Sequence, residues 1–295
     1  MKRTQVSVVR RHCGELVQGP LLVRGKLVVA LVTLPMAPYY AKAAFAWGGY
    51  GGDLSVFPDG KLKTKRALDL LCDSFSLNVS GRVQITTKPD VPEGRGFGSS
   101  SAEVLAAISV VSKATGLKLP RTALQAFGWA AETANDPLLL GSVLYASREG
   151  RVIEQLGQIP SVRCLGIDLG RDIDTTELAE RQHREGFSQD HIAGFQVVMS
   201  MVRRGISTGD RALIARAATQ SAELNQEQIQ LPGWDNLRRI AEETALGVAI
   251  SHSGSACALL FDPWVKQRVL NAARERLKAE LRIDRFYQFT ADWEC

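Results

Sequence analysis

An α+β fold is predicted by three features of the sequence. Strand-like alternation and helix-like spacing occur in separate segments along the chain, and no repeating strand–helix–strand unit is detectable. Beyond about residue 155 the order reads strand, three helices, two strands, helix, strand, which is an α+β order. The chain is 295 residues long, 45% hydrophobic and 23% charged, enough for one large domain or two closely joined ones. The expected division is 1–155 and 156–295.

The elements follow in order. Residues 4–10, "TQVSVVR", and 20–34, "PLLVRGKLVVALVTL", read as strands, with "CGELVQG" (13–19) as the turn between them. "GGYGGD" (48–53) reads as a hairpin turn ahead of a short strand. "KTKRALDLLCDSF" (63–75) carries apolar residues at helical spacing, and "RVQITTK" (82–88) alternates as a strand does. A helix is expected from about Ser100 to Ala114, closed by Gly116, and another from Pro120 through "RTALQAFGWAAETA". "LYASREGRVIEQL" reads as a hairpin turning at Glu149–Gly150, and "VRCLGIDLG" as a strand. Helices are expected at 190–204, 209–228 and 234–246. "GVAISHSGSACALLFD" then reads as strand–turn–strand, "PWVKQRVLNAARERLKAEL" as a helix and "DRFYQFT" as a closing strand.

Composition narrows the class. The opening "MKRTQVSVVRR" has no apolar core with a small-residue cleavage site, so a secretory signal is not expected. The apolar region "LVVALVTLPMAPYYAKAAFAW" is broken by Pro35, Pro38 and Lys42, which argues against a membrane span. Five scattered cysteines (13, 72, 164, 257, 295) form no CxxC pair, fitting a reducing cytoplasm better than a disulfide framework or a zinc site. Net charge is +5 without any basic run interleaved with aromatics, so an anionic small ligand is favoured over nucleic acid.

The stretch most suggestive of chemistry is "PEGRGFGSSSAEVLAA" (92–107). Gly94, Gly96 and Gly98 alternate ahead of Ser99, Ser100 and Ser101, just where a helix begins. Glycine permits close backbone approach, serine caps helix starts, and a helix N-terminus attracts anions. A phosphate cradle and a plain Ser-capped helix both fit. No lysine follows these glycines as a Walker A loop (G-x-x-x-x-G-K-S/T) requires. Ser99 stands where a Rossmann fingerprint needs its third glycine, and the protein-kinase signatures "VAIK" and "HRD" are missing.

The pattern does resemble the GHMP kinase superfamily, whose central motif runs roughly P-x-G-x-G-L-G-S-S-A-A. "PEGRGFGSSSAE" follows it, with Phe97 in place of leucine and Ser101 in place of the first alanine. "SHSGSACALL" (251–260) resembles the family's C-terminal glycine-rich motif, and "CGELVQG" occupies the place of its N-terminal substrate motif. That heptad is similar to the "SCGELIQG" form of the L-threonine kinases of cobalamin synthesis, as is "ETANDPLLLGSVLYASREG" (132–150) to their acidic stretch. Two departures are His12, where serine is usual, and one extra residue in the acidic stretch.

The resemblance implies a two-lobed fold, with a ribosomal-protein-S5-like α/β lobe followed by a ferredoxin-like α+β lobe. It implies ATP and Mg²⁺ as cofactors and a cytoplasmic kinase acting on a small hydroxylated substrate, L-threonine favoured, with no nucleic acid or membrane partner and a homodimer left open. Homoserine or a sugar as acceptor, and a non-catalytic nucleotide-binding regulator, are the alternatives. Nucleotide contacts then fall on Gly94, Arg95, Gly96, Phe97, Gly98, Ser99, Ser100, Ser101, Gly254 and Ser255. Ser100 and Glu132 are the implied metal ligands, and Asp136, with Ser100, carries the catalytic role as base or hydroxyl orienter. Cys13, Gly14, Glu15 and Gln18 are the implied substrate residues.

The residues support parts of this independently. Glu132 and Asp136 are four apart and can share a face at a helix end, or else form a solvated end with Asp136 capping the turn before Pro137. Glu15 suits an ammonium group, with Arg11 or Arg148 available for a carboxylate; otherwise it is an exposed hairpin residue. His252 either meets a phosphate or caps its own turn. Cys13 and Cys257 have no orienting acid and read as buried, incidental thiols.

Overall fold

The computed structural model describes residues 4–48, 53–87, 91–132, 135–170, 186–252 and 254–293. Two long strands begin the chain, β1 (Gln5–Val23) and β2 (Lys26–Trp47), paired antiparallel along nearly their whole length. They turn on Arg24 and Gly25, at φ +50° and +77°, with Val23 opposite Lys26, the left-handed pair that a tight hairpin requires. The turn therefore lies inside the segment 20–34 that was read as one strand. "CGELVQG" is instead the middle of β1. There Gly14, at φ +85°, belongs to an irregularity with register shifts on both sides of Glu15. A glycine-marked bulge carries the same local signature as a turn, and only the pairing partner distinguishes them.

β3 (Leu54–Phe57), α1 (Leu62–Ser74), β4 (Gly81–Thr87), α2 (Ser99–Thr115) and α3 (Arg121–Ala131) complete the first half, followed by the hairpin β5 (Val143–Ala146) and β6 (Arg151–Gln155). β3 pairs in parallel with β4, which pairs with β2. β2 and β3 are therefore not ladder neighbours; residues 49–52 of "GGYGGD", the expected hairpin turn, lie outside the described residues. The second half is β7 (Val162–Asp168), α4 (Gln189–Thr208), α5 (Arg211–Ile229), α6 (Trp234–Thr244), β8 (Gly247–Ile250), β9 (Ala256–Phe261), α7 (Gln267–Leu281) and β10 (Tyr287–Ala291), in the expected order.

The strands form one sheet in the order β1-β8-β9-β7-β10-β2-β4-β3, with β1 also paired to β2. Six strands thus close a ring in which β1 and β2 of the first half complete a sheet supplied by the second. The ladder does not break near residue 155. Burial along β1 records the closure: Gln5–Arg10 nearly alternate buried with solvated, whereas every residue from Arg11 to Leu21 is buried. The first stretch has one wet face and the second is covered on both.

Cores sit on both sides of this junction. α1, α2 and α3 pack on β2 and β4 through residues such as Phe45, Leu68, Leu105 and Ile108. α6 and α7 pack on β7–β9 through Leu237, Ile240, Leu259 and Leu270. A third cluster, including Leu16, Val32, Phe97, Phe195 and Phe289, joins the two halves. Among the described residues no helix is long and apolar enough to cross a membrane; the broken apolar region is strand β2.

Candidate active site

The start of α2 is a backbone device. Gly94, Gly96 and Gly98 all lie in the left-handed region, at φ +73°, +91° and +62°. Gly98 is the N-cap and no side chain caps the helix, so the three serines are not the caps their position suggested. Their hydroxyls are used elsewhere. Ser100 Oγ donates to Glu132 Oε2 (3.0 Å), and Ser101 Oγ donates to Asp136 Oδ2 (3.0 Å) while accepting the Asp136 N–H at 3.1 Å. The N–H groups of the first helical turn have no intrahelical partners and carry the positive end of the helix dipole. Loop and helix end together offer an anion a row of amide donors.

This loop is held from below and from the side. Arg11, fully buried, donates from Nε to Phe97 O (3.2 Å) and from its two terminal nitrogens to Val91 O (3.3 Å) and Pro92 O (3.2 Å). Its guanidinium is committed to the loop's carbonyls, which removes it as the cation for a substrate carboxylate. Phe97 is buried edge-on against Tyr287, so its side chain anchors the loop rather than facing its open side. From the C-terminal motif, Gly254 (φ +104°) packs so closely that a Cβ there would lie 2.3 Å from the Arg95 carbonyl carbon. The Ala256 N–H donates to that carbonyl oxygen at 2.8 Å. Ser255 is buried with Oγ donating to Asp168 Oδ1 at 2.5 Å, which turns its hydroxyl toward β7.

One hydroxyl joins all three motifs. Ser251 Oγ donates to Gly96 O (2.7 Å) and accepts the Gly14 N–H (3.0 Å). Around this joint lies a cluster of polar groups, buried except at His252. His12 Nε2 is 2.9 Å from Asp136 Oδ2 and its Nδ1 is 3.4 Å from Glu15 Oε1. His252 Nδ1 reaches Glu15 Oε1 at 3.1 Å and lies 3.5 Å from Asp136 Oδ1. The two imidazoles are stacked, with centroids 6.2 Å apart. Glu15 is 1% exposed, not an exposed hairpin residue.

Electrostatics follow from this packing. Burial pushes the Asp136 carboxyl up, but His12 and His252 nearby, with hydrogen bonds from His12 and Ser101, outweigh it and hold the group at about 2. Burial pulls His252 down, but Asp136 and Glu15 raise it to about 9. His12 is likewise raised, burial being overcome by Asp136 and Glu15. Asp136 and His252 are therefore both charged at neutral pH. His12, Glu15 and Asp136 bring potential ligand atoms within 4.8 Å of one another, yet these charges are already matched among themselves.

Several buried polar atoms remain without hydrogen-bond partners: Glu15 Oε2, Asp136 Oδ1, and both side-chain atoms of Gln18. Buried polar groups are ordinarily satisfied, and a small polar ligand is one way to do so. Gln18's main chain is fully used, its N–H on Ser221 Oγ (3.1 Å) and its carbonyl on Asn225 Nδ2 (2.7 Å). Cys13 points the other way, its thiol 3.4 Å from Cys257 O in the core, with burial pushing the thiol far up.

Glu132 and Asp136 do not share a helix face. α3 ends at Ala131, Glu132 is the extended C-cap, and residues 133–134 lie outside the described residues. The two carboxylates are instead aligned by successive serines of α2, Ser100 and Ser101. Glu132 also contacts Lys63, at the start of α1. Sequence reasoning missed Lys63, Ser251 and the role of His12. The only signal was that His12 stood where serine was expected.

Comparison with known proteins gives the family. The model for the GHMP kinase N-terminal domain matches residues 63–137 and that for the GHMP kinase C-terminal domain matches residues 202–279, together just over half of the chain. The chain belongs to the GHMP kinases, ATP-using small-molecule phosphotransferases. It is 24% identical over 268 residues to the L-threonine kinase of Salmonella typhimurium, covering 89% of this chain and 85% of that one. It is 25% identical over 218 residues to the homoserine kinase of Pyrobaculum aerophilum, covering 68% and 73%. In fold it is similar to the homoserine kinase of Cytophaga hutchinsonii, with TM-score 0.76, 18% identity and coverage of 100% and 96%. The L. major mevalonate kinase in complex with R-mevalonate gives TM-score 0.74, 15% identity and coverage of 100% and 97%.

Proposed function

We propose that this kinase transfers the γ-phosphoryl of ATP to the side-chain hydroxyl of a small amino acid, L-threonine, giving O-phospho-L-threonine. The observation that carries the reading is the convergence at Asp136. Its Oδ2 is occupied by His12 and Ser101, and its Oδ1 accepts no hydrogen bond. An acceptor hydroxyl donating to Oδ1 would sit beside the α2 N-terminus, where the nucleotide phosphates are expected. Glu15, buried with His12 and His252 on Oε1 and no hydrogen bond on Oε2, supplies the negative charge that an ammonium group seeks.

Phosphoryl transfer demands positioning and charge neutralisation more than covalent work. The amides of 94–101 hold phosphate oxygens. Ser100 Oγ and Glu132, a hydroxyl and a carboxylate 3.0 Å apart at the loop's mouth, are the hard oxygen donors that Mg²⁺ takes alongside phosphates and water. Bound there, the ion would neutralise charge on the transferring group. Asp136, held ionised at about 2, is a poor general base at neutral pH. A loose transition state lets the hydroxyl proton leave late, so Asp136 orients the hydroxyl first and receives its proton only as the new bond forms.

The similarity to an L-threonine kinase over most of both chains supports the acceptor, and the homoserine kinase relative marks the nearest alternative. The test is incubation with ATP, Mg²⁺ and L-threonine, L-homoserine or L-serine, with ³¹P NMR of the products. A phosphomonoester formed fastest from L-threonine is the expected result. Faster turnover of L-homoserine would reassign the acceptor, and bound ATP with no phosphoester from any hydroxyl compound would make the chain a nucleotide-binding regulator.

A further inference from the structure

A cavity of about 410 Å³ opens beside the C-terminal half of α2, at Ser109 and Lys113. None of Gly94–Ser101, Glu132, Asp136, His12, Glu15 or His252 lines it. Arg11 also lines it, but its guanidinium is committed to the loop carbonyls; the remaining cationic side chains come from three elements, Arg10 on β1, Lys113 on the last turn of α2 and Arg121 at the start of α3. The one acidic residue in its wall is Asp292, whose carbonyl already accepts from Arg10 at 3.1 Å. Pro35, Leu124, Leu138 and Trp293 give it an apolar floor.

A second observation points to a ligand. Thr33 also lines the cavity, is 8% exposed, and its Oγ1 has no hydrogen-bond partner. Size, apolar lining and a few converging polar groups are what small-molecule sites share, and three cations against one acid select for negative charge. We infer that this cavity binds a small organic anion, a carboxylate or phosphate ester on an apolar body, separately from the nucleotide and acceptor.

The cavity's wall is coupled to the site already described. Residues 137–139 line it and directly follow Asp136. Leu138 N–H donates to the Asp136 carbonyl at 2.8 Å, and Gln125 on α3 donates to the same carbonyl at 2.8 Å. A ligand gripping Leu138 and Arg121 would therefore bear on the segment that carries Asp136. This coupling, unlike the binding itself, rests on the proposed role of Asp136.

Phenyl phosphate is a suitable probe, with phenol and inorganic phosphate as half-probes. Ligand-observed NMR titrations of the full chain should show phenyl phosphate binding at least tenfold more tightly than either half. Affinity should survive saturating ATP and the Glu132→Gln change, and fall at least fivefold in both Lys113→Glu and Arg121→Glu, two exposed positions where folding should be retained. Hydrogen exchange at Leu138 and Leu139 should slow on binding. The inference is overturned if phenyl phosphate does not bind, if ATP displaces it, or if both charge reversals leave its affinity unchanged.

Discussion

Two regions meet at Ser251, and they are built on opposite principles. The phosphate loop is backbone: three left-handed glycines and a bare helix end, with no side-chain cap and few charges. The β1 region is side chain: His12 and Glu15, buried with Asp136 and faced by the partly exposed His252, with charge closed on charge. A loop whose donors are amides can hold phosphate in any protonation state of the protein. A cluster made of ion pairs recognises by charge and is sensitive to pH. In the proposed function the first region serves the nucleotide and the second serves the acceptor.

Changes in each region should therefore separate nucleotide from acceptor effects. The largest effect is expected at Gly98, where a Cβ would lie 2.1 Å from His12 Cδ2 on a backbone at φ +62°. Gly98→Val should abolish measurable ATP binding by calorimetry and displace His12, so this one position strikes both regions. Asp136→Asn should lower kcat by at least ~10²-fold with ATP affinity nearly intact, the scale of a lost proton-handling group. A drop under tenfold would reduce Asp136 to a structural residue.

The cluster's ion pairs should show in stability. His252 is raised from an ordinary 6.5 to about 9, so its contribution is complete below pH 6.5 and is lost as pH rises through 9. Asp136 is lowered from 3.8 to about 2, so its contribution is complete above pH 4 and is lost on acidification toward 2. Unfolding free energies from urea titrations should thus peak between roughly pH 4 and 6.5 and fall by about 3 kcal/mol or less on the alkaline side, at 1.36 kcal/mol per unit. His252→Gln should flatten that alkaline limb; an unchanged limb would place the pH sensitivity elsewhere.

Smaller effects should sharpen the division. Glu132→Gln should cost roughly 10-fold or more in kcat/KM, in the range typical of weakened metal sites, with partial recovery at high Mg²⁺. Glu15→Gln removes one charge-assisted hydrogen bond, so the acceptor KM should rise about tenfold while the ATP KM barely moves. Equal changes in both KM values would show that the two regions act as one.

The same contrast explains what the sequence disclosed. The loop was legible because its glycines and serines are contiguous and each has a local reason to be there. Helices such as α2, closed by Gly116 at φ +78°, were legible for the same cause. The cluster around Asp136 was not, because β1 with His12 and Glu15, the segment after α3 with Asp136 and the β8–β9 turn with His252 are brought together only by the fold. Glu15 read as a turn residue since Gly14 marks a bulge with a turn's signature. The spacing of Glu132 and Asp136 pointed to a shared helix face, whereas two neighbouring serines of α2 align them across a broken helix end.

The ring of strands carries a consequence for how the chain is made. β1 and β2 lie within the first 47 residues, but their partners β8 and β10 are drawn from residues 247–291. During synthesis this long apolar hairpin precedes its partners: β4 and β5 follow early and cover stretches of the β2 edge, but the β1 edge stays open until β8 is made and the ring closes only with β10. Folding that waits on such distant contacts is slow and exposes strand edges to other chains. The first half synthesised alone should accordingly aggregate, and it should become soluble when the second half is supplied in trans during refolding.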